Sequence, residues 1–148
     1  MTDYVTLTEQ AEALCEDTPD LIAVMANISA LVFHTLEDLN WAGFYRVCGE
    51  ELILGPFQGK VACMRIAKGR GVCGTAWKED CVVVVPDVHA FAGHIACDSD
   101  SRSEIVLPIH HEGEVIAVLD IDSPVLNRFG EEDRVGLTAL VKSLEKHV

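Results

Sequence analysis

"EIVLPIHHEGEVIAVLDID", residues 104–122, holds two apolar runs on either side of Glu112-Gly113, and that arrangement decides the fold class. Each run has the length and β-branched content of a strand, and an acidic residue followed by glycine turns the chain back on itself, so the stretch reads as an antiparallel hairpin. Glu104 opens one strand, and Asp120 and Asp122 close the other. Antiparallel pairing therefore brings all three carboxylates to one end of the sheet, with Asp120 and Asp122 on the same face. A single acid at a strand end is ordinarily a solvated terminus. Three converging beside a long loop point to a site that holds a cation or donates a proton.

Upstream, "NWAGFYRV" (40–47) and "ELILGPF" (51–57) flank the turn Cys48-Gly49-Glu50 and give a second hairpin. Trp41 and Tyr45 lie four apart on its first strand, hence on one face, where they either pack in a core or grip a small apolar group. Between the hairpins, "VACMRI" (61–66) is a short strand candidate. "GRGVCGTAWKED" (69–80) is a glycine-rich loop opening a short helix, with Cys73 near its start, and "CVVVV" (81–85) is an apolar run broken by Pro86-Asp87. From Pro86 to Arg102 no period is visible, and an aperiodic stretch of that length is more often functional than decorative.

Helices are expected at both ends. Thr18-Pro19 reads as an N-cap followed by proline at the first helical position, and Leu21, Val24, Met25, Ile28, Leu31 and Val32 recur at helical spacing. "RFGEEDRVGLTALVKSLEKH" (128–147) places Leu137, Leu140, Val141 and Leu144 on one face. The order is helix, two strands, a mixed middle, two strands, helix. The economical solution is an α+β domain over 1–148, with the terminal helices packed on one face of an antiparallel sheet and the middle loops covering a pocket on the other.

Composition excludes several classes. The chain carries 24 acidic and 11 basic residues, a net charge of -13, which repels a phosphate backbone and makes nucleic acid an unsuitable partner. The longest stretch without charged residues, Leu21 to Leu36, falls short of a membrane span, and Met1 to Glu9 lacks the features of a signal peptide. A cytoplasmic location is expected. "GKVACMRIAKGRGVCG" suggests a phosphate cradle but lacks both G-x-G-x-x-G and the P-loop pattern.

Six cysteines (15, 48, 63, 73, 81 and 97) form no C-x-x-C pair, and a reducing compartment disfavours a permanent disulfide framework. Metal binding, redox catalysis and packing remain. Cys97 sits in "HIACDSDSRSEIVLPI" (94–109), polar company for a thiol. His94 and Arg102 are cationic candidates to lower its pKa, whereas Asp98 and Asp100 push the other way, so local composition leaves both an inert and a reacting thiol open. His89, His94 and Cys97, spaced H-x4-H-x2-C, raise the alternative of a zinc clasp completed from elsewhere, although no paired knuckles accompany them.

Taken together, "NWAGFY" (40–45), "LGPFQGKVACMRI" (54–66), "GRGVCGTAW" (69–77), "VPDVHAFAGHIACDSDSRSEIVLPI" (85–109), "VLDIDSP" (118–124) and "RFGEEDRVGL" (128–137) resemble the free methionine-(R)-sulfoxide reductases, which are built on a GAF domain. The resemblance implies a six-stranded antiparallel sheet with an active site under the loops. It implies Cys97 as nucleophile, Cys63 as main resolving thiol and Cys73 as a secondary partner. It also implies substrate contacts from Trp41 and Tyr45 to the S-methyl group, from Glu104, Asp120 and Asp122 to the amino group and sulfoxide oxygen, and from amides around Ile95, Ala96 and Cys97 to the carboxylate. No cofactor or metal is implied; thioredoxin is the implied reductant and a homodimer the implied assembly. Val61 and Ala92 stand where relatives are expected to have proline.

Two other classes compete: a non-catalytic GAF sensor for a small ligand or cyclic nucleotide, and a zinc-bound or redox-switch module. A sensor is normally fused to an output domain, for which 148 residues leave no room, and a cyclic-nucleotide site has no need of three cysteines at these positions.

Overall fold

The alternation that marks residues 104–122 as a hairpin becomes the centre of a six-stranded sheet in the computed structural model, which describes residues 1–95 and 97–148. In chain order the elements are α1 (Tyr4–Asp17), α2 (Leu21–Thr35), β1 (Trp41–Cys48), β2 (Glu51–Gly59), β3 (Arg65–Ala67), α3 (Gly71–Glu79), β4 (Val83–Val85), a 3-10 turn at Val88–Ala90, β5 (Ser103–His111), β6 (Glu114–Ser123) and α4 (Glu131–Glu145). The strands lie in the order β3-β2-β1-β6-β5-β4, every recorded pairing antiparallel. Both hairpins form as expected, and Glu112 and Gly113 take the left-handed conformation of their two-residue turn, at φ 51° and 80°.

The sheet has two differently furnished faces because side chains alternate along each strand. Ala42, Phe44, Ile105, Leu107, Ile109, Leu119 and Ile121 point to one face and are buried under α2 and α4, with Leu7, Ala11 and Cys15 of α1 in the same core. Each such aliphatic side chain contributes about 1.5–3 kcal/mol on burial. Trp41, Tyr45, Val106 and Val118 point the other way and pack with Val72, Cys73, Ala76 and Trp77 of α3. One position on β1 needs glycine for close approach: a Cβ on Gly43 would run into Phe57 and lie 2.9 Å from the Pro56 carbonyl oxygen.

Three local expectations are corrected. Asp20, not Thr18, caps α2 by accepting from Ala23 N at 3.1 Å, so Pro19 precedes the helix, and Thr18 Oγ1 accepts from Asp20 N instead. A helix, α1, precedes the one expected at the amino end; Asp3 caps it, and it packs against α2 and α4. Within 61–66 only Arg65 and Ile66 enter a strand, because β3 pairs with the far end of β2 and leaves Val61 to Met64 as loop. The apolar run 81–85, not assigned to an element from sequence, supplies β4 at Val83–Val85. Among the described residues, no helix is long and apolar enough to cross a membrane.

Candidate active site

β5 and β6 set the floor of a pocket. Their register places Glu104 opposite Asp122 and Val106 opposite Asp120, so the three acids share the face away from α2 and α4. Glu104 and Asp120 are buried, and Asp122 encloses its Oδ1. Trp41 and Tyr45 come alongside from β1, stacked with ring centroids 5.9 Å apart, and Phe57 of β2 also stacks on Trp41, at 5.1 Å. α3 supplies Val72 and Cys73, and the long loop supplies His94, Ile95, Cys97, Asp98 and Ser101. The enclosed space is about 40 Å³.

A disulfide joins Cys63 to Cys97, with Cα atoms 5.5 Å apart across 34 positions of sequence. Both partners are loop residues, and the fold holds both loops from the pocket side. Trp41 Nε1 donates to Lys60 O at 3.1 Å and Tyr45 Oη to Cys63 O at 2.8 Å, which pins the Cys63 segment to β1. Asn40 Nδ2 donates to Asp98 Oδ2 and Ser101 Oγ, both at 2.9 Å, which pins the Cys97 loop to the same strand's start. Lys60 and Asp100 form an exposed ion pair at 2.7 Å between the two segments.

The electrostatics of the floor follow from burial. Removal from water pushes Glu104 and Asp122 well above the usual carboxylate range, and the neighbouring Asp120 charge adds to this. Burial also raises Asp120, but hydrogen bonds from Glu104, Cys73 and Asp122 offset part of the rise, so it is the member best able to carry a negative charge. Asp120 Oδ1 and Asp122 Oδ1 are buried without a donor. An enclosed acceptor with no partner costs about 1–3 kcal/mol, so this floor is arranged to receive a proton or a cationic group. Burial, then the facing carboxylates, hold the Cys73 thiol well above its ordinary value, so it stays protonated. Cys73 Sγ and one oxygen each from Glu104 and Asp120 lie within 4.8 Å of one another, a spacing that could hold a metal ion; among the described residues Glu12, Glu16 and His147 form a second such group at the surface.

Of the residues singled out from sequence, Trp41, Tyr45, Cys73, Ile95, Cys97, Glu104, Asp120 and Asp122 line the pocket, and Cys63 reaches it through its bond to Cys97. Ala96 lies outside the described residues. Of the two cationic candidates for Cys97, His94 lines the same pocket and Arg102 is exposed. Burial, then repulsion from His89, holds His94 below its ordinary value; its Nε2 sits 3.7 Å from Glu104. Among the described residues, His89, His94 and Cys97 form no ligand cluster, since His89 is exposed and the Cys97 sulfur is bonded to Cys63. Asn40, Phe57 and Ser101 escaped sequence reading; none carries a motif, and only the strand order brings them to the site.

An antiparallel sheet with helices on one face and a loop-covered, cysteine-lined acidic pocket on the other defines a redox-active member of the GAF class, and the GAF domain profile matches residues 20–148. Free methionine-R-sulfoxide reductase of Escherichia coli is 52% identical over 143 residues, spanning 97% of this chain and 87% of that protein. The fRMsr of Staphylococcus aureus, solved in complex with substrate, superposes with a TM-score of 0.95 at 50% identity, covering 99% of this chain and 96% of that one. Free methionine-R-sulfoxide reductase from Neisseria meningitidis, solved in complex with its substrate, gives 0.94 at 46% identity, covering 97% and 87%. The chain belongs to the free methionine-R-sulfoxide reductases, a family of oxidoreductases.

Proposed function

We propose that this protein reduces free L-methionine (R)-sulfoxide to L-methionine, using Cys97 as nucleophile and Cys63 as the resolving thiol. The observation that carries the reading is the Cys63–Cys97 disulfide at the rim of a pocket whose floor is three enclosed carboxyl groups and whose wall is Trp41 and Tyr45. The Cys97 thiolate attacks the sulfoxide sulfur while a carboxylic acid of the floor protonates the departing oxygen, giving methionine and a sulfenic acid on Cys97. The Cys63 thiol then displaces that hydroxyl as water and closes the disulfide. Two thiols of a reductant, for which thioredoxin is the candidate, return both cysteines to the reduced state.

The acids suit both ends of the substrate. Raised carboxyl groups hold protons at neutral pH and can give one up, and the unpaired Asp120 and Asp122 oxygens match an amino acid's ammonium group. The aromatic pair offers an apolar slot for the S-methyl group, and amides near Ile95, Ala96 and Cys97 are the candidates for the carboxylate. Cys73, enclosed and protonated, fits a secondary thiol partner. In this scheme the Cys63–Cys97 bonded form is the state after turnover, and its pocket of about 40 Å³, small beside the ~300 Å³ at the lower end of ligand pockets, is the oxidised one, which reduction would widen.

The functional unit is taken as 1–148, since α1 buries Leu7, Ala11 and Cys15 in the core shared with α2 and α4. Repair of free methionine under oxidative stress in the cytoplasm is the corresponding role, and a homodimer the expected assembly. The test incubates purified protein with dithiothreitol and racemic methionine sulfoxide and follows each epimer by chiral chromatography. Loss of the R epimer alone, abolished in Cys97→Ser, is expected; loss of both epimers or of neither overturns the assignment.

A further inference from the structure

The charge of this chain is unevenly distributed. Lys60, Arg65, Lys68 and Arg70 fall within residues 60–70, which contain no acid, although the whole chain has only 11 basic residues against 24 acidic ones. Cys63 lies inside that segment. Its four basic residues are all exposed, and so are Val61 and Met64, at 86% and 71%. Lys60 and Arg65 each meet one carboxylate, Asp100 and Glu51, and keep a solvent face at 71% exposure. Neither Lys68 nor Arg70 has a carboxylate partner among the described residues, where the Lys and Arg ion pairs are those of Lys60, Arg65, Arg128 and Arg134; Lys68 Nζ lies 4.9 Å over the Trp77 ring. Two exposed apolar side chains inside a cationic rim, on either side of a disulfide sulfur, have the composition of a docking patch: an apolar centre for contact and charge for orientation.

We infer that residues 60–70 dock an acidic-surfaced dithiol protein, which attacks Cys63 and expels Cys97. The inference rests on the recycling step of the function proposed above. A thiolate of the partner attacks Cys63 Sγ, forming an intermolecular disulfide, and the Cys63–Cys97 bond breaks with its electron pair leaving on Cys97. The partner's second thiol then attacks its own sulfur in that mixed disulfide, releasing Cys63 as thiolate and oxidising the partner to its disulfide. Two electrons pass to the protein, and the two sulfurs take up the protons the partner's thiols gave up. Charge biases the approach: Lys60 and Arg65 are each met by a carboxylate, Asp100 and Glu51, which leaves Lys68 and Arg70 as the uncompensated cations of the Cys63 segment, whereas Cys97 is followed directly by Asp98. An acidic partner is therefore drawn in over the 60–70 segment and reaches Cys63 from that side.

The experiment compares turnover driven by dithiothreitol with turnover driven by bacterial thioredoxin, thioredoxin reductase and NADPH. In the wild type, KM for thioredoxin should rise with ionic strength, because a local attraction is being screened; a fall would mean that the net charge of -13 governs the encounter and would overturn the inference. The double variant Arg65→Glu/Lys68→Glu should raise KM for thioredoxin about tenfold with kcat and the dithiothreitol rate within twofold, and Arg65→Lys/Lys68→Arg should restore it. An unchanged KM overturns the patch. Thioredoxin with its resolving cysteine changed to serine should be trapped on Cys63, and trapping on Cys97 overturns the direction of attack. Absence of dithiothreitol turnover in the wild type would instead refute the proposed reductase function, a distinct result.

Discussion

Tyr45 donates its phenolic hydrogen to the carbonyl oxygen of Cys63 at 2.8 Å, so a residue of the pocket wall also holds the loop that carries a redox sulfur. Burial raises the phenol above its ordinary value, with the facing acids adding to the effect, so it remains a donor across the physiological range. Tyr45→Phe keeps the stacking on Trp41 and removes one bond. A loss of about 1 kcal/mol is expected, which for a domain of this size lowers Tm by about 2–4 °C in calorimetry. The rate at which Cys63 closes on oxidised Cys97, read by quenched thiol labelling, should fall several-fold because the loop samples more positions. A closure rate equal to wild type would show that Tyr45 does not position Cys63.

The acids should trade stability for chemistry. Glu104 and Asp122 have folded pKa values well above their unfolded ones, so the folded state binds more protons than the unfolded chain in the interval between the two. Their cost is absent below the unfolded values and grows as pH rises through them, reaching its limit at the folded values. Glu104→Gln removes an ionisable group and supplies an amide donor to the unpaired oxygens. It should leave stability near wild type at pH 4 and raise it by about 1–3 kcal/mol at pH 8, measured by denaturant titration, while turnover falls at least a hundredfold. A variant less stable at pH 8 than at pH 4, relative to wild type, would contradict this assignment of charge.

The three pocket cysteines should separate in single turnover without reductant. Wild type releases about one equivalent of methionine and ends with Cys63 bonded to Cys97. Cys63→Ser should release methionine equally fast but leave Cys97 as a sulfenic acid that dimedone traps, detected by mass spectrometry. Cys73→Ser should retain the bond between Cys63 and Cys97, with dithiothreitol turnover within about tenfold of wild type, because a buried protonated thiol is a poor nucleophile. Loss of that bond in Cys73→Ser would assign Cys73 a larger part than a secondary one.

A histidine far from the pocket ties three elements together. His110 on β5 places Nδ1 2.6 Å from Glu145 of α4 and Nε2 2.5 Å from Asp80 at the end of α3. Burial pushes its pKa down, but the two carboxylates outweigh that and raise it overall. Its stabilising contribution is therefore fully present below the unfolded value near 6.5 and is lost as pH rises through the folded value. His110→Asn should cost about 1 kcal/mol at pH 6, given the partial exposure of the trio, and the gap to wild type should narrow as pH increases above neutrality. A gap that widens with pH would reverse the sign.

Chelation separates proton from metal at the floor. Turnover with dithiothreitol should be unchanged after dialysis against EDTA, since the proposed chemistry uses only protons held by Glu104, Asp120 and Asp122. Activity that disappears and returns on adding a divalent ion would assign the trio of Cys73, Glu104 and Asp120 to a metal.

Much of this was written locally. The spacing of residues 104–122 determines the hairpin, its turn and the gathering of three acids at one end, but Glu104 shares a face with Asp120 and Asp122 only because the register shifts by one at Ile109/His110, a bulge that strand alternation alone does not specify. Trp41 and Tyr45 share a face because side chains alternate along a strand with a period of two. The family motifs single out Cys63, Cys73 and Cys97. Helix α1 was not legible, since Leu7, Ala11 and Cys15 form a sparse stripe that is stable only against α2 and α4. The cap of α2 falls on Asp20 because two acceptors stood in line for one helix end, and Thr18 Oγ1 instead accepts from Asp20 N.

The resemblance implies Cys63 as the partner of Cys97, but only the tertiary structure brings the two sulfurs together and decides how the acids are charged. Cys63 and Cys97 sit on loops without a period, and their approach is set by the order β3-β2-β1-β6-β5-β4 and by the hydrogen bonds from Trp41, Tyr45 and Asn40 that hold each loop to β1. The proton content of Glu104, Asp120 and Asp122 follows from desolvation, which depends on every element that covers them. Local sequence encodes direction and alternation; distance across loops and exclusion of water belong to the packed molecule.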